Sequence, residues 1–158
     1  MVTATRSDSS TDTVSRRAAV LRQLKKNLEK QREKLLSYLD ILEHEEKDID
    51  RGNLENLTTH VDMERAVIRE IQSFQKIIDP LEKLYKAAYP DKEEEIPALK
   101  TSLVKLTDQI VRRNRANRNL LKKEMARIES ELSGMRIPPR KKEIFNLREA
   151  STILDIST

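Results

Sequence analysis

Apolar residues recur at helical spacing through three long stretches of this chain, with short polar breaks between them. In the first stretch Leu21, Leu28, Leu35, Leu42 and Ile49 fall seven apart, and Leu24 and Tyr38 fill two of the complementary positions. A seven-residue repeat corresponds to 3.5 residues per turn and favours left-handed supercoiling against a neighbouring helix. Gln31 and Glu45 occupy the other two complementary positions, so the seam carries two polar interruptions. Leu36, Leu39 and Ile41 widen the stripe, which predicts contact with more than one helix. The pattern predicts a helix over 15–51 with Ser15 as its N-cap.

Arg51-Gly52-Asn53 ends that helix. Gly52 suits the left-handed C-terminal position, and Asn53 offers a side-chain oxygen to cap the next helix. So short a connection predicts an antiparallel second helix over 53–89. Its apolar face is Leu54, Leu57, Val61, Ile68, Ile71, Phe74 and Ile78, resuming at Leu81, Leu84 and Tyr85. Asp79-Pro80 predicts a kink, or a restart capped by Asp79, because proline removes a backbone donor and restricts the residue before it.

An acidic loop, Asp91-Lys92-Glu93-Glu94-Glu95, leads to Pro97 at the start of a third helix over 97–135. Those carboxylates lie near the positive end of its dipole. Its apolar positions are Leu99, Leu103, Leu106, Ile110, Leu120, Leu121, Met125, Ile128 and Leu132, interrupted by the polar, cationic run Arg112 to Asn119. Pro138-Pro139 forbids continuation, and Arg140-Lys141-Lys142 follows as a basic hinge. Residues 137–158 form a C-terminal tail whose Ile144, Phe145, Leu147, Ile153, Leu154 and Ile156 predict a short amphipathic helix or a segment that stays loose until a partner arrives. Residues 1–13 lack periodicity and predict a disordered tail. The matched segments predict an all-α fold: an elongated antiparallel three-helix bundle or coiled coil over 14–136, with flexible tails at both ends.

Composition agrees with that class. The 158 residues include 3% aromatic and 37% charged side chains, with two glycines and no tryptophan, the signature of long helices rather than of a thick globule. Without cysteine there are no disulfides and no thiolate metal ligands. The N-terminal stretch has no apolar run of a secretory signal, and no stretch reaches the ~20 apolar residues needed to span a bilayer. A soluble cytoplasmic protein is expected. Net charge is +4, unevenly spread: residues 15–49 carry +2, 50–97 carry −4 and 98–142 carry +9. The third segment therefore keeps positive charge available to an acidic partner.

Little in the chain suggests catalysis. His44 and His60 stand on different helices with no accompanying ligand set, and both read as ordinary surface residues. There is no glycine-rich phosphate loop, and Ser73 and Ser102 have no base at a recognisable spacing. The expectation is a protein that is not an enzyme and needs no cofactor. The Arg112 to Arg118 cluster would attract phosphate, but no aromatic residue is interleaved to stack bases. The plainer reading is a solvated face whose arginines pair with the acidic middle segment. Asn114 and Asn117 sit where the apolar stripe should continue, and a register-setting asparagine layer between helices is the preferred account.

Three features together resemble the FlgN-type flagellar export chaperones. The first helix closes on Leu42-Glu43-x-Glu45-x-x-x-Ile49; a Gly52-Asn53-Leu54-Glu55-x-Leu57 turn follows; the third helix carries Asn114, Asn117, Leu120 and Leu121. The match covers roughly residues 15–135. The resemblance implies a small helical protein that binds hook-associated subunits of the hook–filament junction in the cytoplasm, prevents early assembly and delivers them to export-gate components. It also implies partner-binding residues toward the end of the chain: Leu121, Met125, Ile128 and Leu132, then Ile144, Phe145 and Leu147. The chain departs from the family in its basic pI of about 9.3 and in the Pro138-Pro139 break. Two other readings stand beside it. One is a coiled-coil adaptor or homo-oligomer whose Leu21 to Ile49 seam pairs between chains. The other is a nucleic-acid binder using the basic third helix. As a chaperone the protein is expected to be a monomer or weak dimer.

Overall fold

A computed structural model describes residues 7–89 and 95–135. They form three long helices and one short turn of 3-10 helix, with no strand among the described residues: α1 (Ser7–Asp50), the turn Leu54–Asn56, α2 (Leu57–Ala88) and α3 (Glu95–Gly134). The fold class is all-α, as the periodicity predicts. Residues 90–94, which hold most of the acidic loop, and the C-terminal segment from residue 136 lie outside the described residues.

The helices divide between two compact units. The first takes in residues up to Tyr38 together with Val67–Gln109. The second takes in Leu39–Ala66 and residues from Ile110 onward. Each unit therefore holds a portion of all three helices. In the first unit Leu24, Leu28, Leu35, Tyr38, Ile78, Ile96 and Leu103 are buried. In the second, Ile41, Leu42, Ile49, Leu57 and Ile110 are buried. Burying one such side chain stabilises the fold by about 1.5–3 kcal/mol. Leu36 is an exception to the widened stripe: it is exposed, one position away from buried Leu35.

Partners in the first unit set the direction of the helices. Lys34 of α1 pairs with Glu70 of α2, and Gln31 donates from Nε2 to Gln75 Oε1 at 2.8 Å. Descending along α1 thus ascends along α2, so the two run antiparallel. Gln31, a polar interruption of the seam, is buried and bonded to its neighbour helix rather than left as a defect. Lys25 reaches Glu95 of α3 at 2.6 Å, and Lys100 of α3 reaches Glu82 of α2 at 2.8 Å.

Several ends differ from the expected ones. α1 begins at Ser7, within the stretch read as a disordered tail, because that stretch is locally self-consistent as helix. Thr13 returns a hydrogen bond to the Ser10 carbonyl, and Arg16 pairs with Asp12 one turn back. Residues 10–17 are exposed, so these turns rest on local interactions rather than on packing. α2 runs through Pro80 without a break; Ile78 is buried just before it, and Leu81 and Tyr85 are half-buried after it. Apolar anchoring on both sides offsets the one lost backbone bond. Glu95 is the first residue of α3 rather than part of the preceding loop, so Pro97 falls inside the first turn.

The α1–α2 connection is a Schellman closure. Gly52 has φ +70°, its N–H bonds the Ile49 carbonyl at 3.0 Å, and the Asn53 N–H bonds the Asp48 carbonyl at 2.8 Å. Asn53 does not cap the next helix: its side chain makes no capping hydrogen bond, and its backbone, at φ −86° and ψ 77°, lies outside the extended conformation of a cap. A Cβ at Gly52 would stand 3.3 Å from Glu124 Oε1 of α3 and 3.8 Å from Arg127. Gly52→Ala should therefore lose about 1–2 kcal/mol in urea unfolding from the left-handed backbone, and Gly52→Asn should lose less, since asparagine tolerates that conformation.

Candidate partner-binding site

The second half of α3 lies in the second unit, and Asn117 positions it. Counting seven from buried Ile110 along α3 reaches Asn117, which is only 3% exposed. Its Nδ2 donates both to the Leu42 carbonyl at 2.8 Å and to Glu45 Oε2 at 2.9 Å. The second polar interruption of the α1 seam is thereby matched, as Gln31 is by Gln75. The expected asparagine layer takes the form of one asparagine crossing to α1 rather than a pair of asparagines. Asn114 is half-buried one turn earlier. Asn117 Oδ1 is buried and has no hydrogen-bond partner among the described residues.

Burial pushes the Glu45 carboxyl above its ordinary range, against the opposing effects of the Asn117 hydrogen bond and the charges of His60 and Arg118. Asp48, one turn on, behaves oppositely. The hydrogen bond from His60 holds it below the ordinary range, outweighing partial burial, with help from Asn56 and Arg51. His60 Nε2 stands 2.7 Å from Asp48 Oδ2. An ionised carboxylate only accepts, so Nε2 carries the proton. His60 Nδ1 is buried without a partner among the described residues. Its side chain is 12% exposed, which corrects the reading of His60 as a surface residue. His44 is exposed and donates from Nδ1 to the Asp40 carbonyl at 2.8 Å.

The arginine cluster pairs elsewhere than expected. Arg113 binds Glu46 at 3.0 Å and Glu43 at 3.4 Å, carboxylates of α1 rather than of the acidic middle segment. The reason is spatial: the parallel run of α1 beside α3, fixed by Asn117, brings that acidic turn of α1 alongside Arg113.

Beyond Asn117 the apolar stripe resumes. Leu121, Met125, Ile128 and Leu132 follow at spacings of four, three and four, so they share one face of α3. All four are half-buried, where Ile110 and Asn117 are buried. Arg127 forms ion pairs with Glu124 and Glu131 on the same stretch of helix. Its hydrogen bond holds Glu124 below the ordinary carboxylate range, and Arg127 is itself pushed upward. Gly52 lies against Glu124 and Arg127, so the α1–α2 turn meets α3 at that level. The last seven residues of α3, 128–134, extend about 10 Å past it. Ile144, Phe145 and Leu147 lie outside the described residues.

What this surface can do is pack apolar side chains. Among the described residues no group of three His, Cys, Asp or Glu side chains is arranged to hold a metal ion, and no helix is long and apolar enough to cross a membrane. The His60–Asp48 pair escaped the sequence reading. The hairpin register could have found it, since Asp48 lies two residues before the end of α1 and His60 three after the start of α2.

Two substitutions check this account. Asn117→Ala removes both cross-helix bonds and leaves half-buried Glu45 without its donor; a loss of about 1–3 kcal/mol in urea unfolding is expected. Glu45→Gln keeps an oxygen for Asn117 and removes the charge. Because the folded state raises the Glu45 pKa, ionised Glu45 lowers stability at neutral pH. The variant should therefore melt higher than the parent at pH 7. That gain should shrink as pH falls through the raised pKa, and vanish below about 4, where both states of the parent are protonated.

The chain is similar to an uncharacterized protein of Treponema pallidum (strain Nichols), 28% identical over 148 residues, which covers 94% of this chain and 96% of that protein. No family model matches the chain, and no solved structure matches it.

Proposed function

We propose that this protein is a non-enzymatic export chaperone of the FlgN type, which binds hook-associated subunits in the cytoplasm and delivers them to the flagellar export gate. The observation that carries the proposal is the half-buried stripe Leu121, Met125, Ile128 and Leu132, on a helix end that runs past the α1–α2 turn. An amphipathic helix of a client, laid along such a stripe, would bury its own apolar face by helix-in-groove packing. Binding acts by mass action: a client segment that is covered is withheld from early polymerisation. The resemblance in the α1 end, the Gly52 turn and the Asn117 region supplies the identity of the client class. No cofactor enters this mechanism.

An adaptor that pairs its Leu21 to Ile49 seam between chains is disfavoured, because Leu24, Leu28, Leu35, Leu42 and Ile49 are already buried within the chain.

Deleting residues 136–158 and changing Ile128→Asp in one variant should abolish capture of hook-associated subunits in co-purification from native cells, with the helical melting transition retained. Unchanged capture would refute the site, and a parent protein that recovers no such subunit would refute the function.

A further inference from the structure

The opposite face of the same helix carries a second surface. Between Asp108 and Glu124 α3 has six basic residues and no acidic one. Arg113 is engaged with Glu43 and Glu46, and Arg118 acts on Glu45. Four others, Arg112, Arg115, Lys122 and Lys123, are exposed and have no carboxylate partner among the described residues. Arg112, Ala116, Asn119, Lys123 and Ala126 follow at spacings of four, three, four and three, so they form one outward face, with Arg115 and Lys122 along one edge. Every one of these seven residues is exposed. Short side chains at Ala116, Asn119 and Ala126 leave the centre of the face low between the longer cations.

From this we infer that the outer face of α3, over Arg112 to Ala126, docks an acidic helix of a partner protein. Helix packing favours small residues where two backbones approach, and the cations beside them then meet carboxylates on the incoming helix. Charge complementarity of this kind speeds encounter and sets orientation. A nucleic acid fits less well, because α3 has no aromatic residue on which a base could stack. Arg112 to Lys123 spans about 17 Å along the axis, so the partner presents glutamates or aspartates over at least three turns of one face. This surface is separate from the Leu121 to Leu132 stripe and does not require the chaperone reading.

The test uses the full chain and three fluorescent probes: a helical peptide with glutamates along one face, a peptide of the same composition with them scattered around the helix, and an oligothymidylate of similar length. The patterned peptide should bind tightest. Changing Arg112, Arg115, Lys122 and Lys123 together to Gln should weaken it about tenfold or more, the sum of four exposed ion pairs. Ile128→Asp should leave it unchanged, which separates this surface from the client stripe. If the quadruple variant melts early, the pair Arg112→Gln and Lys123→Gln serves instead, with about a threefold loss expected. Equal binding by parent and variant, equal binding of the scattered peptide, or tighter binding of the oligothymidylate would overturn the inference.

Discussion

One side-chain amide sets the register of the second unit. Asn117 donates to a backbone carbonyl of α1 and to the Glu45 carboxylate, within a surrounding of buried aliphatic side chains. Apolar surfaces are tolerant of sliding, since leucine against leucine costs little to shift. A buried amide and a half-buried carboxylate are not, because separating them leaves the amide without water and the carboxylate short of a donor. Each stranded group would cost about 1–3 kcal/mol, a large fraction of the stability of a small domain. The first unit uses the same device in Gln31 and Gln75. Burial of apolar surface drives association in each unit, and the polar crossing selects one alignment.

That alignment has consequences along α3. With Asn117 held at Leu42 and Glu45, Arg113 lies beside Glu43 and Glu46, and the Gly52 turn arrives at Glu124 and Arg127. The turn closes there because residue 52 accepts a positive φ, and its missing Cβ spares a 3.3 Å contact with the Glu124 side chain. The helix continues past it with Ile128 and Leu132 half-buried. The stripe proposed to hold a client is thus a product of where the turn meets α3.

The same alignment divides the positive charge of α3. Carboxylates of α1 neutralise the inward-leaning Arg113, while Arg112, Arg115, Lys122 and Lys123 remain on the outer face. One helix can therefore present apolar and cationic surfaces to different partners without either competing for the same side chains. Burial raises the Glu45 carboxyl above its ordinary range, and Asn117, His60 and Arg118 oppose that only in part.

Although α1 and α2 start eight and four residues from the expected positions, the heptads, the two glycines and the prolines were enough to establish three helices, the left-handed residue in the first turn and the C-terminal end of each helix to within one residue. These are local properties: period, φ preference and missing donors act within a few residues. The seam positions Gln31 and Glu45 were legible as interruptions, and Asn117 as a register device, since polar residues in an apolar stripe demand partners. Which partners they find was not legible. The pairing of Arg113 with α1, the burial of His60 against Asp48 and the outward turn of Leu36 depend on how far each helix is rotated and slid against its neighbours. Such offsets are set by packing summed over many side chains at once. Asn53, which suits a cap by type, does not fill that role, because its ψ of 77° is not that of a cap. Helical periodicity told which face of each helix turns inward, with Leu36 and Leu84 exposed against it; only the tertiary structure decided what the inward residues meet there.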